Sequence, residues 1–500
     1  MLKILNSEQI KEWDSFTIKN EPIASIDLME RACQAFTQWF TERFDTTKRI
    51  GVVCGTGNNG GDGLGIARML HNWGFTVQVW VAKGTVLESA DFKVNKERLA
   101  EKLKPVELSG TVAGNPFDDC DVLIDGVFGS GLSRPVEGFY AEVIEAINNS
   151  PATCVSIDIP SGMFADQVTN TSCVSAAFTV TFQAPKFGFL MPENADRVGE
   201  LIVVDIGLSS RFLKEVDCDY YLIDRKSVRK KIKTRTKFQH KGDFGKGLLV
   251  AGSYGKMGAC VLAARAAMRS GIGLLTVHVP KSGYEIIQTS VPEAMAQVDD
   301  TDEFFSGVDN PSEFSAIGLG PGLGTEKLTT DGVRQLLEKS GEKPMVIDAD
   351  GLNIISANRE FLHLIPKGSI LTPHPGEFRR LVGEWANDFE KLEKGKQLAK
   401  QIEGIVVLKG AYTAIFDQHG RVYFNSTGNP GMATGGSGDV LTGVLMALLA
   451  QGYTALDAGI VGVYVHGAAG DLAAFEKGHY GLIASDIIDT IPAAFRQFQV

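Results

Sequence analysis

The chain has few of the features of secreted, membrane-bound or metal-stabilised proteins. Its 500 residues include only seven cysteines, and these are scattered, with no Cys-x-x-Cys pair and no zinc-type Cys/His spacing. The odd number and the spread predict reduced thiols in a cytoplasmic protein. Residues Met1–Glu8 become polar too early for a secretory signal peptide, so none is expected.

The chain also lacks excess positive charge and a clear membrane segment. A net charge of -11 argues against a general nucleic-acid or membrane-surface role. The basic stretch Arg225–Lys237 is interpreted as a solvated connector between domains. The uncharged run Val440–Leu456 is interrupted by Gly443 and by Gln451-Gly452-Tyr453, which favours a buried helix with a turn over a membrane span.

Short β-rich runs alternate with helical runs along both halves of the chain. This alternation predicts two α/β domains, each with a mostly parallel sheet that binds ligands at the carboxyl ends of its strands. We expect their boundary within Ser209–Lys237. The predicted strands are Ile50–Cys54, Thr76–Val81, Val122–Asp125, Thr153–Ile157, Phe178–Phe182 and Leu201–Val204, then Gly247–Ala251, Leu274–Val279, Ala316–Leu319, Met345–Asp348, Ser369–Leu371, Gly404–Leu408, Thr413–Phe416 and Val422–Asn425.

A glycine-rich segment, Gly55–Gly63, follows the first strand of the first half. It satisfies the G-x-G-x-x-G pattern, but no acid follows the second strand at Lys83, where a dinucleotide fold usually has one for the ribose. Conventional hydride-transfer binding is therefore not favoured. Tight strand–helix packing would explain the glycines but not Asn58, Asn59 and Asp62.

Oxygen-bearing side chains stand at further strand ends of the first half. Asp125 begins one such segment, and Asp158 and Ser161 lie in another. Taken alone, each is more simply explained as a helix cap or a turn residue. An alkali cation could be surrounded by Asn59, Asp125 and Ser161 together, because hard cations prefer oxygen ligands.

These motifs resemble those of the YjeF N-terminal family, the NAD(P)H-hydrate epimerases, over roughly the first 215 residues. The resemblance implies a Rossmann-like three-layer α/β/α domain over 1–215. It assigns potassium to Asn59, Asp125 and Ser161, and proton transfer to Asp158. The residues that it assigns to the hydrated dinucleotide are Asn58, Asn59, Gly60, Gly61, Asp62, Gly129, Ser130, Gly131, Leu132, Ser133, Arg134, Pro135 and Asp158.

In the second half, the segment Asn429–Asp439 places four glycines around Ser437, and an apolar helical run follows. Glycines allow backbone N–H groups to approach a phosphate, and a helix N-terminus adds partial positive charge. Asp439 would then lie at the mouth of an anion site, where it could accept a proton from an attacking hydroxyl. The simpler alternative is a glycine-rich turn capped by an aspartate.

Further motifs of the second half are Gly318–Gly324, Asp348–Asn353, Thr372–Phe378 and Lys409–Thr413. In this order they resemble the ribokinase-like superfamily and, within it, the ADP-dependent NAD(P)H-hydrate dehydratases, over 225–500. The resemblance implies nucleotide binding by Lys409, Gly410, Ala411, Tyr412, Thr413, Asn429, Pro430, Gly431, Met432, Ala433, Thr434, Gly435, Gly436, Ser437 and Gly438. It places Ala259, Gly322, His374, Pro375, Gly376, Glu377, Phe378, Arg379, Arg380 and Asp439 at the hydrate.

The whole chain thus resembles the bifunctional NAD(P)H-hydrate repair enzymes. The resemblance implies epimerisation of the R and S hydrates in the first domain and dehydration of the S hydrate in the second, with release of AMP and phosphate. Asp439 and Asp158 would be the catalytic residues. The implied cofactors are K⁺ for the epimerase, Mg²⁺ for the dehydratase, and ADP as co-substrate. The expected partners are small molecules only, and a homo-oligomer is expected.

An alternative function stays open at the level of the sequence. It is a small-molecule kinase for a vitamin alcohol or sugar, which would share the glycine loop and Asp439. It would be fused to a non-catalytic nucleotide- or RNA-binding module, against which Asp62, Asp125 and Asp158 argue. ADP and ATP present the same diphosphate to a glycine loop, and only the resemblance favours ADP.

Overall fold

The structure is a computed structural model that describes residues 1–84, 87–110, 112 and 114–498. It divides into two compact units. The N-terminal unit comprises Lys3–Cys218 with Asn387–Phe389, and the C-terminal unit comprises Met1–Leu2, Asp219–Ala386 and Glu390–Val500. The first strand of the chain, β1 (Leu2–Lys3), is the edge strand of the larger, 11-stranded sheet.

The N-terminal unit is built on a seven-stranded sheet in which every pairing between neighbouring strands is parallel. Its strands are β2 (Arg49–Cys54), β3 (Thr76–Ala82), β4 (Val106–Leu108), β5 (Val122–Gly126), β6 (Thr153–Ile157), β7 (Phe178–Phe182) and β8 (Glu200–Val204). The order is β4-β3-β2-β5-β6-β7-β8, so the chain reverses its direction of travel between β2 and β5. A ligand crevice is expected at such a reversal.

Side chains of the central strands alternate between the two faces of this sheet. Ile50, Val52 and Cys54 of β2 join the core beneath α2, α3 and α4, whereas Val53 joins a second core beneath α5. Both faces are therefore covered, which confirms the predicted Rossmann-like three-layer arrangement. The helices are α1 (Ser7–Asn20), α2 (Ser25–Arg43), α3 (Asn58–Asn72), α4 (Ala90–Ala100), α5 (Phe139–Asn149), α6 (Ala195–Val198) and α7 (Ser210–Glu215).

The larger sheet belongs to the C-terminal unit and has the order β1-β9-β18-β17-β16-β15-β14-β13-β10-β11-β12. Its central pairings are parallel, whereas β17 pairs antiparallel with both β16 and β18. The chain reverses direction between β10 and β13. The strands are β9 (Tyr220–Leu222), β10 (Lys246–Val250), β11 (Leu274–Val279), β12 (Met295–Val298), β13 (Ala316–Leu319), β14 (Met345–Ile347), β15 (Ile370–Leu371), β16 (Ile405–Leu408), β17 (Ala414–Phe416) and β18 (Val422–Phe424).

The helices of the C-terminal unit include two that are almost entirely apolar, α15 and α16. The set is α8 (Arg225–Lys231), α9 (Met257–Arg269), α10 (Tyr284–Ser290), α11 (Lys327–Lys339), α12 (Ala349–Ala357), α13 (Pro375–Val382), α14 (Asp388–Gln401), α15 (Ser437–Ala450), α16 (Ala455–Gly481) and α17 (Ala484–Arg496). Short 3₁₀ segments occur at Phe187–Leu190, Pro192–Asn194, Lys241–Phe244, Lys281–Gly283, Pro311–Glu313, Arg359–Leu364 and Pro430–Met432.

The uncharged run Val440–Leu456 forms a buried helix followed by a turn, as predicted. Helix α15 ends at Ala450, and α16 begins at Ala455. Within the described residues, α16 is the helix with the length and composition to cross a membrane, and 78% of its most apolar window is buried inside the unit. It is therefore a core helix by burial.

The basic stretch Arg225–Lys237 lies within the C-terminal unit, so it does not connect the two units. Its first residues form α8, and most of its charged side chains are exposed, as predicted for a solvated segment. Lys233 Nζ also donates to the carbonyl oxygens of Gln451 at 3.0 Å and Gly452 at 2.7 Å, just beyond α15. Cations near a helix C-terminus satisfy unpaired carbonyls and oppose the helix dipole.

Four short strands were not predicted, namely β1, β4, β9 and β12. Each lies at or next to a sheet edge and has two to four residues, too few to show a periodic pattern. The glycine-rich segment also differs from expectation, because α3 begins at Asn58 and so contains most of the motif. The motif therefore forms the first turns of the helix itself.

Helices α9 and α15 approach closely at Gly443. A Cβ atom on Gly443 would lie 2.1 Å from the Ala263 carbonyl oxygen, whereas one on Gly459 of α16 would lie 3.4 Å from the nearest atom of Ile415. Both glycines are buried and helical. Only the first is required by the packing.

We expect Gly443→Ala to destabilise the C-terminal unit by about 1–3 kcal/mol, because overpacking displaces the backbone of α9. Gly459→Ala is the matched control and should be neutral or stabilising by about 0.5–1 kcal/mol, because alanine favours a helix. Thermal unfolding of the two variants checks this. Equal midpoints would contradict the close α9–α15 contact.

Candidate active sites

The first cavity opens at the carboxyl ends of β2, β5, β6 and β7 and has a volume of about 670 Å³. Predicted residues that line it are Asn58, Asn59, Asp62, Gly129, Ser130, Gly131, Leu132, Ser133, Arg134, Pro135 and Asp158. The strand-end segments thus converge at the reversal point between β2 and β5. The side chains of Lys11, Asp14, Glu137, Tyr140 and Phe182 also line it, and the sequence analysis had assigned none of them.

The glycines of the first motif have different tasks. A Cβ on Gly55 would lie 2.0 Å from the Val127 carbonyl oxygen, and one on Gly60 would lie 1.9 Å from the Gly55 carbonyl oxygen. Gly61 faces Met29, away from the cavity. Tight backbone packing therefore accounts for Gly55 and Gly60, whereas the polar residues of the motif face the cavity.

A closed network of oxygen groups joins three strand-end segments. Asp125 is fully buried and accepts hydrogen bonds from Ser156 Oγ at 2.8 Å and from the Ser161 hydroxyl and amide at 2.5 and 2.8 Å. The Phe128 carbonyl accepts from Asn59 Nδ2 at 2.8 Å and from Ser161 Oγ at 3.2 Å. The three predicted potassium ligands therefore lie in one network.

The donor set of this network fits a monovalent cation. Burial raises the pKa of Asp125, while hydrogen bonds from Ser161, Ser156 and Val127 lower it. Among the described residues, no Lys, Arg or His forms an ion pair with Asp125. A buried carboxylate surrounded only by oxygen and N–H groups has an uncompensated charge, and a hard cation with oxygen ligands would balance it.

Asp158 is held in an unusual conformation by a buried lysine. Its φ angle is +63°, in the left-handed region that non-glycine residues rarely adopt. The Lys186 ammonium group, 2% exposed, forms an ion pair with Asp158 Oδ1 and donates to Thr181 Oγ1 at 2.9 Å. The Phe182 amide donates to the same carboxylate oxygen at 3.1 Å. The Asp158 carboxylate is therefore fixed in position and paired with one charge.

Two more carboxyl groups share the cavity with Asp158. Burial and, to a smaller extent, the charge of Asp158 raise the pKa of Asp14 to about 6, against a lowering effect of Lys186. Burial, followed by the charges of Asp158, Asp14 and Asp91, raises the pKa of Asp62 well above its usual range. The single buried lysine cannot compensate three neighbouring carboxylates, so ionisation of Asp14 and Asp62 is disfavoured.

The second cavity, of about 660 Å³, lies in the C-terminal unit beside the start of α15. Predicted residues that line it are His374, Lys409, Gly410, Ala411, Thr413, Asn429, Pro430, Met432, Ala433, Thr434, Ser437 and Gly438. Asn425, Thr427, Leu441, Val463 and His466 also line it and were not predicted. Gly431 is buried beneath this loop, where a Cβ would meet the backbone of His479.

The glycine loop ends in a helix start, as expected. Gly436 has a φ angle of +91° and is the N-cap, and α15 begins at Ser437. Asp439 is thus the third residue of the helix and is not its cap, which removes the simple capping explanation. Among the described residues, Asp439 has no hydrogen-bond or ion-pair partner. Gly435 has no neighbour within 4 Å of a Cβ, so packing does not require a glycine there.

Asp439 lies beside an ion pair between the half-buried Lys409 and the buried Asp348. Lys409 Nζ contacts Asp348 Oδ1 at 2.8 Å, and Thr442 Oγ1 donates to Asp348 Oδ2 at 2.8 Å. Burial and, to a smaller extent, the charge of Asp348 raise the pKa of Asp439 to about 6, against a lowering effect of Lys409. A carboxyl group with a pKa in this range can accept a proton near neutral pH.

Part of the predicted hydrate site surrounds this pair. Glu377 Oε2 lies 3.9 Å from Lys409 Nζ and accepts from the His374 amide at 2.8 Å. The His374 ring caps α13 by accepting from the Gly376 amide at 2.9 Å. His374 is therefore both a helix cap and a residue of the cavity wall.

Other residues of the predicted hydrate site are directed elsewhere. Phe378 is fully buried beside Trp385, with ring centroids 5.7 Å apart. Arg379 contacts Glu384 at 3.2 Å, and Arg380 donates to Asn353 at 2.9 Å. Phe378 can thus contribute to a ligand site only by supporting α13.

Ala259 and Gly322 lie together at the reversal between β10 and β13. A Cβ on Gly322, whose φ is +61°, would lie 3.2 Å from the Ala259 Cβ. The tight approach of these two segments leaves room only for small residues. The structure therefore brings this pair together at the sheet edge where a ligand is expected.

Sequence reasoning missed several residues for identifiable reasons. Asp14 and Lys11 lie in the amphipathic helix α1, far from any motif. Lys186 follows β7, a strand end that could have been inspected. His466 lies within the apolar helix α16, and its Nε2–H donates to the Ser437 carbonyl at 3.0 Å. Burial lowers the pKa of His466 to about 4, so it is neutral at physiological pH.

Comparison with known proteins identifies a family model for each half of the chain. Residues 247–493 match a family model described as NAD(P)H-hydrate dehydratase, and residues 25–188 match the YjeF-related protein N-terminus. A ribokinase-like superfamily protein from Enterococcus faecalis V583 has a similar structure, with a TM-score of 0.51 and 25% identity; the match covers 57% of this chain and 98% of that one. This likeness supports the ribokinase-like fold of the C-terminal unit.

Two relatives match almost end to end. The bifunctional NAD(P)H-hydrate repair enzyme of Moorella thermoacetica is 35% identical, over 99% of this chain and 97% of its own length. The enzyme of the same description from Escherichia coli is 31% identical, over 93% and 88%. With both family models matched in the same order, this chain belongs to the family of bifunctional NAD(P)H-hydrate repair enzymes.

Proposed function

We propose that the chain repairs hydrated NADH and NADPH with two active sites. The first cavity, within the domain of residues 1–215, interconverts the R and S hydrates. The second, within residues 225–500, dehydrates the S hydrate with ADP and regenerates the dihydronicotinamide with release of AMP and phosphate. The observation that carries the proposal is an unpartnered carboxyl group, Asp439, which lies in the first turn of α15 directly after the glycine-rich loop and near Lys409.

In the second cavity, the hydroxyl group of the hydrate is a poor leaving group until it is phosphorylated. Asp439 accepts the hydroxyl proton as the oxygen attacks the terminal phosphorus of ADP, and AMP departs. The ring nitrogen lone pair then expels phosphate, and loss of a ring proton forms the dihydronicotinamide. The N–H groups at the start of α15 stabilise negative charge on the phosphoryl oxygens.

Lys409 has two partners available in this cavity. In the structure it is paired with Asp348 and lies near Glu377. Its ammonium group is suited to a phosphate oxygen of the nucleotide, as a mobile point charge. Among the described residues there is no group of three His, Cys, Asp or Glu side chains arranged for a metal. Mg²⁺, which neutralises phosphate charge, would therefore be held largely by the nucleotide and water.

In the first cavity, Asn59, Asp125, Ser161 and the Phe128 carbonyl would hold K⁺. The ion would supply positive charge beneath the loop Gly129–Pro135, which lines the cavity wall. Asp158 is the proposed proton-transfer residue, fixed by Lys186 and the Phe182 amide. Asn58 and Asp62 at the start of α3 would contact the hydrated dinucleotide.

The same proposal includes the cellular compartment, the oligomeric state and the partners of the enzyme. We expect a cytoplasmic homo-oligomer that acts on small molecules and binds neither nucleic acid nor membranes. The seven cysteines are free thiols, which is compatible with a reducing compartment. The competing function is a kinase that releases a stable phosphorylated product, and it predicts accumulation of that product in place of free phosphate.

Asp439→Asn should lower the dehydration rate by roughly 10²–10⁴-fold, because the amide cannot accept the hydroxyl proton. Epimerisation by the same protein should be unaffected. Asp331→Asn, at an exposed position on α11, is the matched control and should retain both activities. Dehydration of the purified S hydrate with ADP measures the effect, and an unimpaired Asp439→Asn protein would refute the assigned role.

Dehydration should depend on the ionisation of Asp439. The base form exists above its pKa of about 6, so the rate should rise as the pH increases through 6. Lys409→Met removes a charge that lowers this pKa, so the remaining activity should reach its plateau at a higher pH. A pH–rate profile of both proteins checks the direction. A shift to lower pH in the Lys409→Met protein would contradict the arrangement.

Epimerisation should require K⁺. Replacing K⁺ with tetramethylammonium, which is too large for the site, should slow epimerisation by roughly 10-fold or more while dehydration continues. Ser161→Ala should raise the K⁺ concentration needed for half-maximal rate. The measurement is the rate of R-to-S conversion at constant ionic strength. Identical rates in both salts would show that the oxygen network is structural only.

A further inference from the structure

We propose that Asp14 is a second catalytic residue of the first cavity and that it forms an acid–base pair with Asp158. The inference rests on the proposed epimerase function and deepens it. Asp14 lies on α1, outside every glycine or strand-end motif of the chain. It nevertheless lines the same cavity as Asp158, Asn59 and the loop Gly129–Pro135.

Helix α1 is fixed in a way that presents Asp14 to the cavity. Asn6 and Gln9 form a capping box at its start, and the neighbouring Trp13 is buried and donates from Nε1 to the Ser209 carbonyl at 2.9 Å. Thr17, also buried, accepts from the Ser209 amide at 3.0 Å. Lys11, one turn before Asp14, lines the cavity as well. The position of Asp14 is thus set by its helix.

Asp14 itself has no structural partner. Among the described residues, it makes no hydrogen bond and no ion pair, although it is partly buried. A partly desolvated, unpaired carboxyl group costs folding free energy. Such a group is retained more readily for reaction with a ligand than for stability.

The charges around Asp14 favour one proton on the pair. Burial has the largest effect on the pKa of Asp14 and raises it. Asp158 also raises this pKa and Lys186 lowers it, and the result is a pKa of about 6. Lys186 contacts Asp158 directly, so the neutralising charge lies on Asp158. Other charged groups at this cavity are Asp62 on α3, Lys11 on α1, and Arg134 and Glu137 after β5. Two carboxyl groups in unlike surroundings can serve as acid and base.

The second cavity provides an internal parallel. There, Lys409 is paired with Asp348, and the unpartnered neighbour Asp439 has a pKa of about 6. In the first cavity, Lys186 is paired with Asp158, and the unpartnered neighbour is Asp14. In both cases an unpartnered carboxyl group lies next to a lysine–aspartate ion pair and outside it.

This pair can perform the inversion without any additional reagent. Protonated Asp14 donates its proton to the hydroxyl oxygen of the hydrate as the carbon–oxygen bond breaks. Water leaves, and the ring nitrogen lone pair forms the carbon–nitrogen double bond of an iminium ion. Water then adds to the other face of that carbon, the π electrons return to nitrogen, and Asp158 accepts the proton lost from the water. Proton exchange with solvent restores the pair, and the reverse reaction exchanges the two roles.

The test is the pH–rate profile of R-to-S conversion by the full-length protein with K⁺ present. The wild-type rate should fall as the pH rises above about 6, as Asp14 loses its proton. The Asp14→Asn protein should be slower by roughly 10²–10⁴-fold, and its rate should no longer fall as the pH rises above about 6. Asp14→Glu should recover part of both. Glu12→Gln, exposed on the same helix, is the matched control and should match the wild type.

Two further measurements distinguish a loss of catalysis from a loss of structure. Dehydration of the pure S hydrate reports that each variant is soluble and that the other active site is intact. Asp14→Asn should also be more stable than Glu12→Gln at pH 7, because it removes a carboxylate that is costly to ionise, and this gain should vanish below about pH 4. A variant that is less stable at pH 7 would assign Asp14 a structural role and overturn the proposal.

Outcomes for the proposal and for the proposed function differ. A wild-type protein that does not exceed the uncatalysed epimerisation rate would refute the epimerase function itself. If the wild-type protein exceeds that rate while Asp14→Asn is equally fast or keeps the same fall in rate near pH 6, only the role of Asp14 is overturned. If Asp14→Asn does not fold, the wild-type profile decides alone. A wild-type rate that does not fall above about pH 6 would then overturn the role of Asp14.

Discussion

The burial of several carboxyl groups around a single lysine is the constraint on which both active sites depend. A desolvated carboxylate is costly, and one lysine can compensate only one of them. Lys186 pairs with Asp158 in the first cavity, and Lys409 pairs with Asp348 in the second. The remaining carboxyl groups must take up a proton or await a ligand. This imbalance gives each site a group that can exchange protons near neutral pH.

The two sheets bring these groups together by the same geometry. Parallel strands end at one edge, so residues far apart in the chain, such as Asn59, Asp125 and Ser161, converge within one network. Close approach of backbone segments then fixes the spacing. Gly55, Gly60 and Gly322 allow contacts that a Cβ would block, which holds the edges tightly together. The glycines thus fix the spacing of the sheet edges, while polar residues between them line the first cavity.

The sequence predicted much of this arrangement, because its signals are local. Continuous apolar strands and glycine-rich strand ends identified both sheets, the start of the helix that contains Asp439, and the network of Asn59, Asp125 and Ser161. Groups that reach a site only through tertiary packing left no such signal. Asp14 reaches its cavity through the placement of α1, and His466 is one polar residue within an apolar helix. The charged residues of Arg225–Lys237 are mostly exposed, as predicted, but the sequence did not show that Lys233 contacts carbonyls at a helix end, because such partners have no sequence pattern.

The measurement that tests the central claim most directly uses a mixture of both epimers of NADH hydrate, with K⁺, Mg²⁺ and either ADP or ATP. Recovery of the dihydronicotinamide absorbance is followed to completion. The account predicts complete recovery with ADP, because the first cavity supplies the S hydrate that the second consumes. Recovery that stops when the initial S hydrate is exhausted would contradict an active first site. No recovery with either nucleotide would contradict the repair function.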